Sequence, residues 1–515
     1  MAAGEHPNSK LSIRLISKSI IKAANSNTPP SVLPVSNFDH LSGRYPVTIF
    51  YAYSKPSTGD FDSVINTIKT SLAETLDYFF PFAGRIVPNP ESGELEILCN
   101  NEGIELIEAS ADVSITSLNF YDLNDSVKRV MLPSTTEIPL SVQVTSYACG
   151  GFSIAWSFDH LLADGNGFVK FLFLWSELAR TGRIPAMPNH DRSIFRPRSP
   201  PSYGPLLDRT FTACTLHDVL AMPRNDISLK RMYYIHGSCI DRLQATVKEG
   251  VGVERTRTEA ISAYLWKVLA RSLGETDTEC RMGWLVDGRP WMVSEPGEDL
   301  SDYVGNVVSM AVGEASTREL KEGSLSYVAG MVAQVIAEVK NKAHFLELLD
   351  WIECRRPEMV LARILLGLQG PAMVVSSCHN MPVMATDFGF GSPRLGTFNT
   401  ALDAIGAGYV NLVSSGREDG SWFVFAFIWP RLALELESDP EQVFLPITVD
   451  YIVSSKDSPE DGELLPLKGE EEEVLIFGVD GVELVGVAST VVPEEPAPSN
   501  EILAIDAPSI FPNSS

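Results

Sequence analysis

A histidine and an aspartate four residues apart give the strongest chemical signal in the sequence. His160 follows a strand-like apolar stretch at 152–158, and Asp164-Gly165 opens a segment with helical spacing. Histidine is the usual general base because the ordinary pKa of its imidazole lies near neutrality. Asp164 suits a helix N-terminus, where backbone N–H groups favour a carboxylate. Gly165 leaves room for a substrate beside the histidine.

This pattern is short, so chance must be weighed against it. A lone histidine is most often structural, and His-x-x-x-Asp-Gly arises by accident in roughly one such chain in thirty. Other patterns decide what the histidine could do.

A second pattern, Asp387-Phe388-Gly389-Phe390-Gly391, indicates a tight turn with few side chains. Asp-Phe-Gly is also the metal-binding triplet of protein kinases. A kinase is excluded here, because the sequence has no glycine-rich loop, Val-Ala-Ile-Lys strand or His-Arg-Asp loop.

Other catalytic patterns are absent from the sequence. It holds no Gly-x-Ser-x-Gly elbow, Walker A loop, dinucleotide-binding glycine motif or His-Glu-x-x-His. A covalent acyl-enzyme is therefore disfavoured. Direct attack by an acceptor that His160 deprotonates remains, and no metal site is expected.

The elements that must position these motifs have mixed α and β character. In the first half, strand-like stretches alternate with helical patterns: strands at 11–21, 47–53, 95–98, 140–147 and 152–158, and helices at 61–80 and 166–179. In the second half, the patterns predict helices at 258–273 and 325–339 and a hairpin of strands at 409–413 and 422–427. Between the halves, 181–208 is rich in proline and is interpreted as a crossover loop.

Composition sets the class of protein. With 515 residues, 44% hydrophobic and 21% charged, the chain is long enough for two domains of ordinary size. Its net charge of −26 argues against general binding to nucleic acid or to anionic membranes. Seven single cysteines suggest free thiols in a reducing compartment. No signal peptide or run of about 18 apolar residues is present, so the cytosol is the expected location.

The C-terminal end differs from the rest. Residues 452–515 hold 14 acidic residues and 2 lysines, a net charge of −12. Such a composition is typical of a solvated, disordered tail. A short apolar stretch at 474–479 leaves a small hairpin as the alternative.

Both motifs and several further stretches resemble the plant BAHD acyltransferases, which are defined by His-x-x-x-Asp-Gly and Asp-Phe-Gly-Trp-Gly. The resemblance covers about residues 10–451. The further stretches that carry it are Ser36–Asp39, Tyr78–Arg85, Asn101–Gly103, Ala263–Trp266, Val286–Arg289 and Tyr303–Asn306.

The resemblance implies an α/β fold of two chloramphenicol-acetyltransferase-like domains with a central channel between them. The expected segments are an N-terminal domain at 1–195, a crossover at 181–215, a C-terminal domain at 216–451 and the acidic tail at 452–515. Acyl-CoA and a small-molecule acceptor would enter the channel from opposite faces. The protein is expected to act as a monomer, with acyl-CoA as co-substrate and no bound cofactor.

Site residues carry over by position. His160 would be the general base, and Asp164 would hold its loop by pairing with Arg289. Structural support of the site is also assigned to Gly165, Asp387, Gly389 and Gly391. Phe390 and Asn306 are assigned to the acyl-CoA or acceptor channel.

Two departures from the family pattern bear on the site. Phe390 stands where tryptophan is usual, which would remove an indole N–H from the oxyanion. Ser392 stands where a basic residue is common, which would remove a contact to the CoA phosphates.

The expected reaction is therefore transfer of an acetyl or hydroxycinnamoyl group from CoA to a hydroxyl of a plant specialised metabolite such as a phenylpropanoid alcohol. Three alternatives stay open: acylation of an amine, a non-catalytic accessory protein of fatty-acyl elongation, and a condensation domain, which shares the first motif.

Overall fold

The computed structural model describes residues 11–25, 29–56, 59–135, 137–220, 229–293, 299–367, 370–398, 406–453, 473–477 and 483–487. The chain divides into two compact units. One contains the residues up to Ser454 together with Ile510–Ser515, and the other contains Ser455–Ser509.

The strands, in chain order, are β1 (Ile13–Ile21), β2 (Ser31–Pro34), β3 (Pro46–Tyr53), β4 (Arg85–Pro88), β5 (Leu95–Cys99), β6 (Ile104–Ala111), β7 (Leu140–Tyr147), β8 (Phe152–Asp159), β9 (Phe211–Cys214), β10 (Leu229–Ile235), β11 (Glu279–Asp287), β12 (Val308–Ser316), β13 (Met359–Ala362), β14 (Ala372–Ser377), β15 (Leu395–Phe398), β16 (Gly408–Ser414), β17 (Trp422–Ile428), β18 (Leu445–Pro446), β19 (Glu473–Phe477) and β20 (Glu483–Val487).

The helices are α1 (Asn37–Ser42), α2 (Phe61–Leu76), α3 (Val127–Val130), α4 (Gly165–Thr181), α5 (Leu206–Thr210), α6 (Leu216–Leu220), α7 (Gly237–Val251), α8 (Arg257–Ser272), α9 (Thr317–Glu322), α10 (Leu325–Val339), α11 (Lys342–Glu353), α12 (Pro430–Glu437) and α13 (Val449–Val453). No described helix is long and apolar enough to cross a membrane.

The first sheet has six strands in the order β1-β6-β7-β8-β3-β15. Its pairs are antiparallel except β6–β7, which are parallel. Helices α2 and α4 pack together on its core, and the indole N–H of Trp175 donates to the Ser71 hydroxyl at 2.8 Å. Helix α2 begins at a capping box of Asp60 and Ser63 and ends at Leu76, because Pro81 already belongs to the next turn, Phe80–Ala83.

The second sheet has seven strands in the order β12-β11-β14-β16-β17-β10-β18. Its central pairs β11–β14 and β14–β16 are parallel. The predicted hairpin is confirmed, since β16 and β17 pair antiparallel. Strand β16 alternates: Val410 and Leu412 face a core that helices α8 and α10 help to enclose, whereas Val413 belongs to the core of the first sheet.

One strand crosses between the two halves. Strand β15 follows most of the second sheet in sequence, yet it pairs with β3 at the edge of the first sheet. The crossover also contributes structure, because β9 pairs with β13. The two sheets therefore interlock rather than follow one another along the chain.

The unit at Ser455–Ser509 is described only where β19 and β20 form an antiparallel hairpin. The apolar stretch at 474–479 thus contributes to a hairpin, the alternative considered for it. The predicted disorder of the remaining tail lies outside the described residues.

Candidate active site

A cavity of about 330 Å³ lies at the end of β8, between the two large sheets. Its walls come from the α1–β3 connection, from β11, β12, β14 and β16, and from the small β9–β13 sheet. Most lining side chains are apolar: Leu41, Val47, Ile49, Phe158, Phe211, Val219, Leu285, Val308, Met310, Met359, Val360, Leu361, Ala362, Leu365, Val374, Met381 and Phe398. A cavity of this size that is mainly apolar with a few polar groups is typical of a small-molecule site.

His160 lines this cavity directly after β8. Its backbone N–H donates to the Tyr45 carbonyl at 3.0 Å, and its ring stacks on the Tyr45 ring with centroids 4.7 Å apart. Burial lowers the pKa of His160, while the charges of Asp164 and Asp159 oppose this shift. The imidazole is therefore neutral near physiological pH and has a lone pair with which to accept a proton.

Asp164 caps α4, and its carboxylate is held by partners other than His160. Its carboxylate accepts from the backbone N–H groups of Gly167 and Val307 at 2.9 and 3.0 Å. It also accepts hydrogen bonds from both outer guanidinium nitrogens of Arg289, at 2.9 and 3.0 Å. Burial alone would raise the pKa of Asp164, but Arg289 and these hydrogen bonds outweigh it and lower the pKa.

The Asp164–Arg289 contact that the family resemblance implied is therefore present. Arg289 is 3% exposed, pairs with Asp287 at 3.0 Å, and donates to the backbone carbonyls of Tyr303 and Gly305. The loop that carries His160 is thus held by a bidentate ion pair rather than by the histidine itself.

A second buried ion pair lies under the same loop, and no pattern in the sequence indicates it. Arg192, in the crossover, approaches Asp39 of α1 at 3.4 Å and donates to the Leu162 carbonyl at 2.8 Å. The Tyr303 ring lies between the guanidinium groups of Arg192 and Arg289, 5.6 and 5.7 Å away. The stretches Ser36–Asp39 and Tyr303–Asn306 were visible in the sequence, but nothing in their pattern indicates that they meet.

Asn306 lies behind the histidine loop and not in the channel, which corrects its predicted place. Its side-chain N–H groups donate to Asp39 at 2.9 Å and to the His160 carbonyl at 3.0 Å. Because Asn306 is completely buried, it cannot touch a substrate. Its hydrogen bonds fix the backbone at His160 instead.

The Asp387–Gly391 turn lies far from His160. The Asp387 carboxylate accepts from the N–H groups of Gly389 and Gly391 at 2.8 and 2.9 Å, and both glycines have positive φ, 97° and 93°. This conformation strongly favours glycine. The predicted structural role of this turn remains a proposal, although its geometry is that of a self-supported turn.

Phe390 is not among the residues that line this cavity, and its assignment to the acyl-CoA or acceptor channel stays a prediction. Its ring packs edge-on against Phe152, with centroids 6.1 Å apart. The eight-residue strand β8 separates Phe152 from His160, roughly 26 Å at about 3.3 Å per residue. The loss of an indole at position 390 therefore has no bearing on the oxyanion.

Gly165 stands where a side chain would meet the opposite wall. A Cβ atom built there would lie 3.9 Å from the Cys378 sulfur. Cys378 is buried and lines the cavity, and burial raises the pKa of its thiol to about 11. The thiol is thus uncharged beside the histidine loop.

Cys378 is part of a polar strip that the sequence did not reveal. Ser376, Tyr409 and Asn411 lie with it on the cavity wall, and Ser376 is paired with Asn411 in the β14–β16 register. The Asn411 side-chain oxygen is buried without a hydrogen-bond partner in the structure. Among the described residues, no group of three or more His, Cys, Asp or Glu side chains could hold a metal ion.

Comparison with known proteins decides the family. A profile of the Transferase family matches residues 11–442, which is most of the chain. The chain belongs to the BAHD acyltransferases.

Curated relatives of this acyltransferase are distant in sequence, but the matches cover most of each relative's length. An Omega-hydroxypalmitate O-feruloyl transferase of Arabidopsis thaliana is 26% identical over 388 residues, covering 72% of this chain and 80% of the relative. An Anthranilate N-benzoyltransferase of Dianthus caryophyllus is 28% identical over 447 residues, covering 80% and 95%. The family thus contains members named for O-acylation and for N-acylation.

Solved structures share the fold. Vinorine synthase superposes with a TM-score of 0.64 at 18% identity, covering 85% of this chain and all of that one. TRI101 of F. graminearum, in complex with coenzyme A and deoxynivalenol, gives 0.65 at 15% identity, covering 81% and 99%. The predicted α/β fold of two acyltransferase-like halves is confirmed.

Proposed function

We propose that this acyltransferase moves an acyl group from acyl-CoA to a hydroxyl group, with His160 as the general base. The observation that carries the proposal is the neutral His160 side chain in an apolar cavity, with Asp164 fully occupied by Arg289 and backbone donors. A histidine held in this way can accept a proton without being fixed as an imidazolium. The donor we favour is acetyl-CoA or a hydroxycinnamoyl-CoA, and the acceptor is a plant specialised metabolite such as a phenylpropanoid alcohol.

The reaction proceeds by direct attack. The imidazole of His160 takes the proton of the acceptor hydroxyl while the oxygen forms a bond to the thioester carbonyl carbon. The resulting oxyanion needs fixed donors. When the carbon–sulfur bond breaks, the imidazolium gives its proton to the CoA thiolate, which leaves an ester and free CoA.

Substitution of the base tests this proposal. His160→Ala should lower turnover by roughly 10²–10⁴-fold, the usual contribution of a positioned acid or base. Thiol release from acyl-CoA in the presence of an alcohol measures it, and product mass identifies the ester. His217→Ala, at an exposed histidine of α6, is the control. Turnover near the wild-type rate in His160→Ala would contradict the mechanism.

N-acylation is the second candidate, because a relative is named for it. The same base would serve an amine. Parallel assays with an alcohol and the matching amine separate the two reactions. CoA binding without turnover on either acceptor would instead favour a non-catalytic accessory protein.

We further propose that the protein acts in the cytosol as a monomer. All seven cysteines are free thiols, as a reducing compartment would keep them. A monomer is supported by His160 and the lining of the cavity, which come from one chain. We place the boundaries of the two acyltransferase domains at 1–195 and 216–451, with β15 returning to the first sheet.

A further inference from the structure

An apolar side chain faces the cavity from an inner strand of the second sheet, next to the edge strand β12. Strand β11 lies between β12 and β14, and most of its residues are buried, but Leu285 is 37% exposed. Its cross-strand partner Met310 lines the cavity beside it. A leucine exposed on an inner strand leaves apolar surface for a ligand to cover.

Around this surface, the residues that the structure describes leave no cation free for an anionic ligand. Among the described residues that line the cavity, the basic side chains are Arg44 and Arg289. Arg44 pairs with Asp159 at 2.7 Å, and Arg289 is shared between Asp164 and Asp287. Two carboxylates around one guanidinium leave an excess of negative charge on that wall.

The histidines do not change this balance. His40 contacts the Glu358 carbonyl at 2.7 Å, and burial lowers its pKa, as it does for His160. Both imidazoles are neutral near physiological pH. A carboxylate brought into the cavity would lose its hydration and find no counter-ion.

We infer that the acceptor is an uncharged alcohol with an extended apolar body, which lies along Leu285 and Met310, and not a hydroxy acid. This inference rests on the proposed function, since it assigns the substrate class of the same site. The aliphatic body covers the exposed apolar wall, and the hydroxyl reaches His160. Because the described residues of the cavity offer no free counter-ion, an acceptor whose carboxylate would lie along this wall should react poorly.

Three acceptors of one chain length test the role of charge in the full-length protein. Hexan-1-ol, 6-hydroxyhexanoate and methyl 6-hydroxyhexanoate are compared, each with acetyl-CoA and with feruloyl-CoA. The alcohol and the neutral ester should react with similar kcat/KM, and the acid at least about tenfold more slowly. An acid that reacts as well as its ester overturns the inference.

Chain length tests the apolar wall separately. Each methylene buried should raise kcat/KM by about fourfold, so the change from butan-1-ol to hexan-1-ol should raise it by about fifteenfold. If only the length of the acyl donor matters and that of the alcohol does not, the wall holds the donor and the inference is wrong.

A charge placed on the wall provides a reciprocal test. Leu285→Arg should shift the ratio of kcat/KM for 6-hydroxyhexanoate over hexan-1-ol upward by at least about tenfold. Leu434→Arg, at a 65% exposed position of α12, is the matched control and should leave the ratio unchanged. Equal ratios in both variants, with thermal midpoints like the wild type, contradict the inference.

These outcomes are separable from failure of the proposed function. If hexan-1-amine reacts and hexan-1-ol does not, or if His160→Ala stays active, the proposed reaction is wrong. If His160→Ala is inactive and alcohols react but the acid is preferred, the reaction stands and only the acceptor class is wrong.

Discussion

At the residue scale, the buried charges under the histidine loop form one continuous network. Asp164, Arg289, Asp39 and Arg192 are all at most 3% exposed. They come from α1, the β8–α4 junction, the crossover and the end of β11, so four distant segments meet at His160. Desolvating these groups is costly, and only complete pairing offsets that cost. The position of the base therefore depends on residues that never touch a substrate.

Removing one member of this network should destabilise the protein strongly. Arg289→Gln leaves the buried Asp164 carboxylate without its guanidinium, so the free energy of unfolding should fall by about 3–5 kcal/mol. Urea unfolding measures the change.

Arg318→Gln is the matched control, because Arg318 pairs with Glu322 on the surface, where it is 83% exposed. Its effect should stay within about 0.5 kcal/mol. Similar losses in the two variants would show that the buried pair carries no special stability.

Single residues were predictable only where a local pattern marks them. His160 and Asp164 stand out by spacing, and Arg289 follows from the family resemblance. Arg192 and Asp39 do not, since their contact joins segments that are far apart in sequence. The polar strip of Ser376, Cys378, Tyr409 and Asn411 was missed for a related reason: it forms only when two parallel strands align.

At the element scale, helix α11 and strand β12 are joined by a histidine whose pKa changes when the chain folds. The His344 imidazole contacts the Ser309 hydroxyl at 2.7 Å, and burial lowers the pKa of His344 to about 4. The unfolded chain therefore binds a proton at His344 near pH 6.5, whereas the folded chain does so only near pH 4. The stability that depends on the neutral form is complete above pH 6.5 and is lost as the pH falls toward 4.

Because the folded state disfavours the protonated form of His344, removing this histidine should preserve stability at low pH. For His344 alone, the loss between pH 7.5 and pH 5 is about 2 kcal/mol. His344→Gln keeps a polar partner for Ser309 and removes the titration, so its stability should decline less over this range. Urea unfolding at several pH values tests this, with exposed His217→Gln as control. Equal pH dependence in wild type and His344→Gln would exclude the effect.

Helices and strands with a clear periodicity of apolar residues are predictable from the sequence, and very short strands are not. Strand β7 at Leu140–Tyr147 and helix α10 at Leu325–Val339 have the predicted bounds. Strand β15 has only four residues, Leu395–Phe398, too few to show an alternation. Its pairing with β3 is decided by tertiary packing and could not be read from the sequence.

At the scale of the whole molecule, the two halves share structure and should lose it together. Strand β15 comes from the second half and completes the first sheet, and the buried Asp164–Arg289 pair joins the two halves. A chain with two independent domains would unfold in two steps. Here the residues up to Ser454 form one compact unit.

Denaturation should therefore show one cooperative transition. Of the eight tryptophans, Trp156 and Trp175 lie in the first half and the other six in the second. Replacing Trp156 and Trp175 by phenylalanine leaves fluorescence that reports on the second half alone, whereas far-ultraviolet circular dichroism reports on both halves. The urea midpoints from these two signals should coincide in this variant. Separate midpoints within one variant would contradict this coupling.

The pairing of β3 with the much later strand β15 also affects how the chain folds during its synthesis on the ribosome. Strand β3 is synthesised early, with the apolar residues Ile49, Phe50 and Tyr51, but its partner at Leu395–Phe398 emerges only near the end. At about 5–20 residues per second, that edge waits roughly 20–70 s for its neighbour. An unpaired apolar edge invites pairing with another nascent chain. A chaperone that covers this edge during synthesis should therefore raise the yield of active protein.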